Sequence, residues 1–181
     1  MSDLIPPVRR LVTGHDAQGR AVFVEDGPAR AIKETEHRPG YRVTNIWRTS
    51  ASPSPIDAPD SIHMQEGVLP PTQGTVLRVI DYPPEPKDSL LLAQMQAATF
   101  ANLYPDAGHT VRPGEHPGMH KTDTIDYAIM LEGELTAILE GEEKVFKAGD
   151  ILIQRGTNHA WANRSGKPAR IAFVLIDAKR V

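Results

Sequence analysis

Apolar and polar residues alternate in short runs through the C-terminal half of the chain, and turn residues separate the runs. Alternation with a period of two places apolar side chains on one face of an extended strand. The pattern predicts β-strands at residues 125–131, 135–139, 144–146, 151–154, 160–162 and 169–176. Short strands recurring at this interval with turns between them are typical of a sandwich or barrel, so the predicted fold class is all-β.

The residue pattern of the N-terminal half predicts fewer strands than that of the C-terminal half, and it predicts one helix. Residues 41–49 and 75–81 are rich in β-branched residues, and a shorter apolar run covers residues 21–24. The proline-rich segment 52–60 is predicted as a loop, because proline removes donors from a strand ladder. Asp88 or Ser89 is a candidate N-cap for a short helix over residues 90–103. The predicted apolar side of this helix carries Leu91, Leu92, Met95, Ala98 and Leu103.

The composition narrows the class of protein. A chain of 181 residues suits one domain with one core. Lys and Arg total 20 against 23 Asp and Glu, without a block of like charge, which argues against a nucleic-acid partner. Cysteine is absent, so disulfides and thiolate chemistry are excluded. No leader is visible and no apolar run approaches the ~18 residues of a membrane span, so we expect a cytoplasmic protein without a membrane partner.

A block of widely spaced polar residues and glycines precedes and overlaps the first of these C-terminal strands. Gly114 is followed after five residues by His120, and Thr122 lies two positions further on. Asp126 comes after three more residues, and Gly133 ends the block six residues later. A histidine and a carboxylate near a strand are candidate metal ligands.

A second block covers residues 149–163 and ends in glycine, two residues, histidine, three residues and asparagine, at Gly156, His159 and Asn163. In this order and spacing the two blocks resemble the two motifs of the cupin family, over residues 108–177. The resemblance implies a cupin double-stranded β-helix, or jelly-roll barrel. It implies a single barrel domain at 71–181 and an N-terminal extension at 1–70 whose strands pack on the barrel, with the short helix as an insertion.

Three residues depart from the cupin motifs. Thr122 stands in place of the second metal-binding histidine, Asp126 in place of glutamate, and Gln154 in place of proline. The resemblance therefore implies His120, Asp126 and His159 as the metal ligands. Two imidazoles and a carboxylate suit a divalent ion such as iron, manganese, nickel or zinc and leave positions open for a ligand. Because Thr122 removes one ligand, weak binding or an empty site stays open as an alternative.

Strand geometry extends the predicted site. His120 and Thr122 fall on one strand face, as do alternate residues from His159 onward, and in the cupin register these faces point inward. The residues predicted to line the pocket are Thr122, Met130, Gln154, Trp161, Asn163 and Phe173. Two plainer interpretations stay open: an Asp126–histidine hydrogen bond that only joins strands, and Trp161 as a core residue. His109 and His116 are further candidate ligands if the loop before His120 folds inward.

Three functions compete on this basis. The first is a metal-dependent cupin enzyme acting on a small organic metabolite, of dioxygenase, isomerase, dehydratase or decarboxylase type. The second is a noncatalytic module that binds a small ligand in the same barrel. The third, a transcription factor with a cupin sensor, is disfavoured because neither a helix-turn-helix pattern nor a basic surface is present. The family resemblance also implies a homodimer, with residues 20–50 as the contributing segment.

Overall fold

The computed structural model describes residues 5–180, and nearly all of its regular structure is β. Before the helix lie β1 (Arg9–His15), β2 (Ala21–Pro28), β3 (Ala31–Glu34), β4 (Arg42–Thr49), a 3-10 turn (Ile62–Met64) and β5 (Thr75–Tyr82). The helix is α1 (Ser89–Leu103). After it come β6 (Gly108–His109), β7 (His120–Lys121), β8 (Thr124–Glu132), β9 (Glu134–Leu139), β10 (Glu143–Lys147), β11 (Ile151–Arg155), β12 (His159–Ala162) and β13 (Ala169–Asp177).

Two antiparallel sheets enclose the core. One has six strands in the order β11-β8-β13-β5-β4-β3, and the other has five in the order β10-β9-β12-β7-β6. Their inward side chains form one apolar cluster, which includes Phe146 and Trp161 from the five-stranded sheet and Met130, Ile171 and Phe173 from the six-stranded sheet. The predicted all-β jelly-roll fold is confirmed. Each C-terminal strand lies where the alternation predicts it, within one residue or so at either end.

The inward face of β8 also follows the predicted alternation. Asp126, Ala128 and Met130 are buried, and the residues between them face outward. The sequence suggests that the apolar residues of the outward face pack on another layer. Instead, Tyr127 and Leu131 are 43% and 48% exposed. Strand geometry fixes which face is inside, but it does not say whether the other face is covered.

The N-terminal strands differ in how they join the sheets. Strand β4 pairs with β5 along its length and β3 pairs with β4, so both extend the six-stranded sheet. Strands β1 and β2 pair only with each other, and their exposed residues include Phe23 and Val24. Neither β1 nor β3 is evident from the sequence pattern, because their residues are short-range mixtures of charged and apolar types. The domain boundary at residue 70 and the homodimer stay predictions.

Helix α1 begins as predicted and packs differently. The Asp88 carboxylate caps it by accepting from the main-chain N–H groups of Leu90 and Leu91. The predicted apolar side is only partly right: Leu103 is buried, but Leu91 is 45% exposed, and Leu92, Met95 and Ala98 are half-buried. The buried residues are Gln96, Thr99, Phe100 and Leu103. A mixed face of this kind suits a helix that covers a cavity with polar contents. No helix among residues 5–180 is both long enough and apolar enough to cross a membrane.

Candidate functional site

A cavity of about 50 Å³ lies between the two sheets and beneath α1. Its polar lining comprises Arg38, Tyr41, Arg78, Tyr82, Gln96, Thr99, Tyr104, His120, Thr122, Asp126 and His159. Aromatic side chains of Phe100, Trp161 and Phe173 complete much of the wall. A cavity of this volume holds roughly four water molecules, or a small part of an organic molecule.

His120 and His159 form one wall of the cavity. They are cross-strand partners on β7 and β12, and their ring centroids lie 4.3 Å apart. Burial lowers the pKa of His120 to about 3, with a further contribution from neighbouring His159. Burial also lowers the pKa of His159 to about 4. Both imidazoles are therefore neutral at pH 7, which is the form that binds metal ions.

Main-chain carbonyls orient both rings. The Nδ1 of His120 lies 2.9 Å from the carbonyl oxygen of Gly118, and the Nδ1 of His159 lies 3.0 Å from that of Thr157. A carbonyl oxygen can only accept, so Nδ1 carries the proton in each contact and Nε2 keeps its lone pair. Metal-binding histidines commonly use this arrangement.

Gln154 introduces a competing contact at His159. Its Nε2 lies 3.0 Å from His159 Nδ1 and 3.0 Å from the carbonyl oxygen of Thr157. Donation from Gln154 requires an unprotonated Nδ1, whereas the contact of Nδ1 with Thr157 requires a protonated one. The two contacts thus favour opposite tautomers of His159, and only the second leaves Nε2 free to bind a metal.

Asp126 lies on the facing sheet, directly across from Gln154 on the neighbouring strand β11. Its side chain is buried, and Oδ1 has no hydrogen-bond partner among the described residues. Burial raises the pKa of this carboxyl to about 6, although a hydrogen bond from Thr124 and the charge of Arg78 act in the opposite direction. An unpartnered buried oxygen of this kind suits a metal ligand or a proton acceptor.

The three predicted ligands share a cavity without converging on one point. Among residues 5–180, no three His, Asp or Glu side chains are placed close enough together to hold one ion. The chemistry of the donors still fits a divalent ion, because two neutral imidazoles and an unpartnered carboxylate oxygen line the same space. The ligand set His120, Asp126 and His159 therefore stays a prediction.

Three of the six predicted pocket-lining residues, Thr122, Trp161 and Phe173, line the cavity. Met130 does not line the cavity and packs in the apolar core instead. Gln154 lies behind His159 and contacts it from outside the cavity. Asn163 is fully buried but donates to the carbonyl oxygens of Tyr82 and Lys167, which makes it a structural part of a turn.

The two additional histidines point elsewhere. His116 accepts from the N–H of Gly118 through Nδ1, and its Nε2 lies 3.0 Å from a carboxylate oxygen of Glu85. Both ring nitrogens are therefore in use. The ring of His109 stacks on Phe100 at 4.0 Å, and its Nε2 contacts the carbonyl oxygen of Pro117. Neither ring lines the cavity.

The sequence interpretation missed most of the remaining polar lining. Arg78 was detectable in principle, because it occupies an inward position of β5 between buried Val76 and Ile80. A charged residue at such a position is unusual and indicates a buried polar site. Tyr41 directly precedes β4 and Tyr104 directly follows α1, and their hydroxyl oxygens, 2.8 Å apart, come together only through the tertiary fold. No local pattern reveals that contact.

Comparisons with known proteins agree with this structure. The cupin domain family model matches residues 109–176. The chain is 32% identical to Phomopsin biosynthesis cluster protein C' of Diaporthe leptostromiformis, over 95% of this chain and 79% of that protein. It is 28% identical to the cupin-domain-containing oxidoreductase fogC of Aspergillus ruber, over 96% and 74%. The chain belongs to the cupin family.

Among solved structures, the chain resembles a Cupin 2 conserved barrel domain protein from Salinispora arenicola. The two are 14% identical, the TM-score is 0.40, and the match covers 80% of this chain and 82% of the other.

Proposed function

We propose that this protein is a divalent-metal-dependent enzyme that acts on a small organic metabolite whose reacting part lies inside the cavity, and that its reaction is of the oxidoreductase class. The observation that carries the proposal is a pair of neutral imidazoles, 4.3 Å apart, facing a cavity that also contains an unpartnered carboxylate oxygen. Relatives named cupin-domain-containing oxidoreductases, from Aspergillus ruber and Hypocrea virens, support the reaction class.

In this proposal His120 and His159 hold the ion through Nε2, and Asp126 is the third ligand. When bound, a divalent ion in such a set polarises an oxygen atom of a small molecule at its open positions. The main-chain contacts of both Nδ1 atoms keep the imidazoles in the metal-binding orientation. Phe100 and Phe173 exclude water from the reacting part of the substrate, which strengthens the electrostatic interactions there.

A noncatalytic ligand-binding module is the second candidate. The arrangement of residues 5–180 favours it in one respect, because their His, Asp and Glu side chains include no ready-made group of three for a metal ion. Metal content separates the two candidates. A binding module of this kind needs no stoichiometric ion, whereas the enzyme does.

Elemental analysis of protein purified without chelator tests the proposal. We expect about one equivalent of a divalent transition metal in the unmodified protein and none in His159→Ala, because the variant loses one of two neutral imidazoles. His63→Ala is the matched control, since His63 is an exposed residue of the 3-10 turn. A His159→Ala variant with full metal occupancy would show that the ion is held elsewhere.

A further inference from the structure

Arg78 lines the cavity and has buried hydrogen-bond donors without a partner in the described part of the chain. The side chain is 1% exposed and lines the cavity wall contributed by β5. Its Nη2 donates to the carbonyl oxygens of Gly67 and Val68, at 3.3 and 3.2 Å. Its Nε and Nη1 have no acceptor within residues 5–180. A guanidinium stays protonated in proteins, so Arg78 is a buried cation with donors to spare.

Another buried arginine shows how unusual this is. Arg10 is also buried, and each of its nitrogens has a partner: Nη1 donates to Glu25, Nη2 to Asp60 and Nε to the carbonyl oxygen of Ile46. Burying a charge is costly unless it is paired. Arg78 has no hydrogen-bonded carboxylate among the described residues: its two acceptors are uncharged main-chain carbonyls, and the charge of Asp126 acts on it without a hydrogen bond.

The charges around the cavity leave a positive excess. Two arginines, Arg38 and Arg78, line it against the single carboxylate of Asp126. Arg38 is already engaged, since its Nη1 donates to Gln96 and its guanidinium lies 4.3 Å from the ring centroid of Tyr41. One negative charge on a ligand would therefore balance the cavity, and a bound divalent ion would strengthen the attraction.

We propose that Arg78 binds the carboxylate group of the ligand, so that the molecule accepted by this cavity is an organic carboxylate. The carboxylate accepts from Nε and Nη1, and the two carbonyl contacts of Nη2 keep the guanidinium fixed before the ligand arrives. The hydrocarbon part lies against Phe100 and Phe173. Arginine to carboxylate is among the strongest hydrogen-bonded pairings available to a protein. Describing this ligand as the substrate rests on the proposed function; its binding at Arg78 does not.

Isothermal titration of chelator-treated protein tests the proposal with propionate, its neutral counterpart propionamide, and chloride. We expect propionate to bind and to raise the unfolding temperature, and propionamide and chloride to bind at least about tenfold more weakly. Equal binding of propionate and propionamide would overturn the proposal, because a charged carboxylate would then not be recognised. Equal binding of propionate and chloride would also overturn it, in favour of a general anion site.

Two substitutions locate the binding. Arg78→Met should weaken propionate binding by about ten- to a hundredfold, since it removes charge-assisted donors. Arg78→Lys should retain part of the affinity because it keeps the charge. Arg10→Met is the control for loss of a buried arginine, and it should leave propionate affinity unchanged. Unchanged affinity in Arg78→Met would overturn the proposal. If that variant does not fold, the propionate and propionamide comparison on unmodified protein decides.

The failure of this proposal and the failure of the proposed function are distinguishable. Metal content is measured separately, on protein prepared without chelator. A protein that binds propionate through Arg78 and contains no metal would overturn the enzymatic proposal alone. A protein with one equivalent of metal and no preference for the carboxylate would overturn the Arg78 proposal alone.

Discussion

The two walls of the cavity differ in how the hydrogen-bonding atoms of their polar side chains are satisfied. On the five-stranded sheet, His120 and His159 are neutral and each has its Nδ1 placed against a main-chain carbonyl. On the six-stranded sheet, Arg78 and Asp126 are buried with hydrogen-bonding atoms that no other described residue satisfies. The rings of the first wall are oriented by main-chain carbonyls, whereas the second wall has buried polar atoms that only a bound group would satisfy. In the proposals above, the two histidines of the first wall hold the metal ion together with Asp126, and Arg78 of the second wall recognises the ligand.

The largest effect we expect concerns a residue that borders the second wall without belonging to it. Met130 shares the inward face of β8 with Asp126 but packs in the apolar core. Met130→Ala should lower the free energy of unfolding by about 2–5 kcal/mol, because it leaves a void among packed side chains. Urea unfolding measures this. Exposed Met64→Ala is the control and should change stability by less than about 0.5 kcal/mol.

If Met130→Ala instead left stability intact and altered ligand binding, Met130 would belong to the cavity. The wall would then extend further along β8 than the structure indicates.

Replacing Asp126 tests whether the unsatisfied carboxylate of the second wall lowers the free energy of unfolding. The pKa of its carboxyl is raised to about 6 from an ordinary value of 3.8. Between these pH values the folded protein binds more protons than the unfolded chain, so stability falls as pH rises through this window. Asp126→Asn removes the buried charge, and in metal-free protein at pH 7.5 we expect a gain on the order of 2–3 kcal/mol.

Urea unfolding of chelator-treated protein at pH 7.5 and at pH 4 checks the sign. The gain should shrink to a small fraction at pH 4, where the carboxyl of Asp126 is protonated in the folded protein. Asp57→Asn, in an exposed loop, controls for the change in net charge. A loss of stability in Asp126→Asn at pH 7.5 would show that the carboxylate is satisfied in the folded protein.

Replacing Gln154 tests the orientation of His159 in the first wall, and we expect it to have the smallest effect of the three substitutions. Gln154→Leu removes the contact that competes for Nδ1 of His159, and leaves the contact with Thr157. We expect Mn²⁺ to bind up to about tenfold more tightly, because the metal-binding tautomer is then favoured. Calorimetric titration of Mn²⁺ measures this. Weaker binding in the variant would mean that Gln154 supports the ring rather than competing for it.

The sequence predicted the first wall better than the second, for a physical reason. Strand alternation and motif spacing are local, so both histidines of the first wall could be placed on inward faces before any contact was known, as could Asp126 of the second wall. The second wall depends on which strands become neighbours. Arg78 was visible only as a charge within an apolar strand, and the contact of Tyr41 with Tyr104 joins residues 63 positions apart in the sequence.

Helix α1 is a second example of what local sequence patterns can and cannot predict. Local sequence chemistry predicts Asp88 or Ser89 as the N-cap of α1, and Asp88 is the residue that caps the helix. The buried side of α1 was predicted from apolar spacing, but the helix turns Gln96 and Thr99 inward because the cavity below is polar. The buried face of α1 therefore combines these polar residues with Phe100 and Leu103, a mixture that apolar spacing alone does not predict.

The most direct test of the division between the two walls is calorimetric titration of Mn²⁺ into chelator-treated protein at pH 7.5. We expect one site per chain, lost in both His120→Ala and His159→Ala and retained in Arg78→Met. Retention of the site in both histidine variants, or no binding to the unmodified protein, would contradict the account.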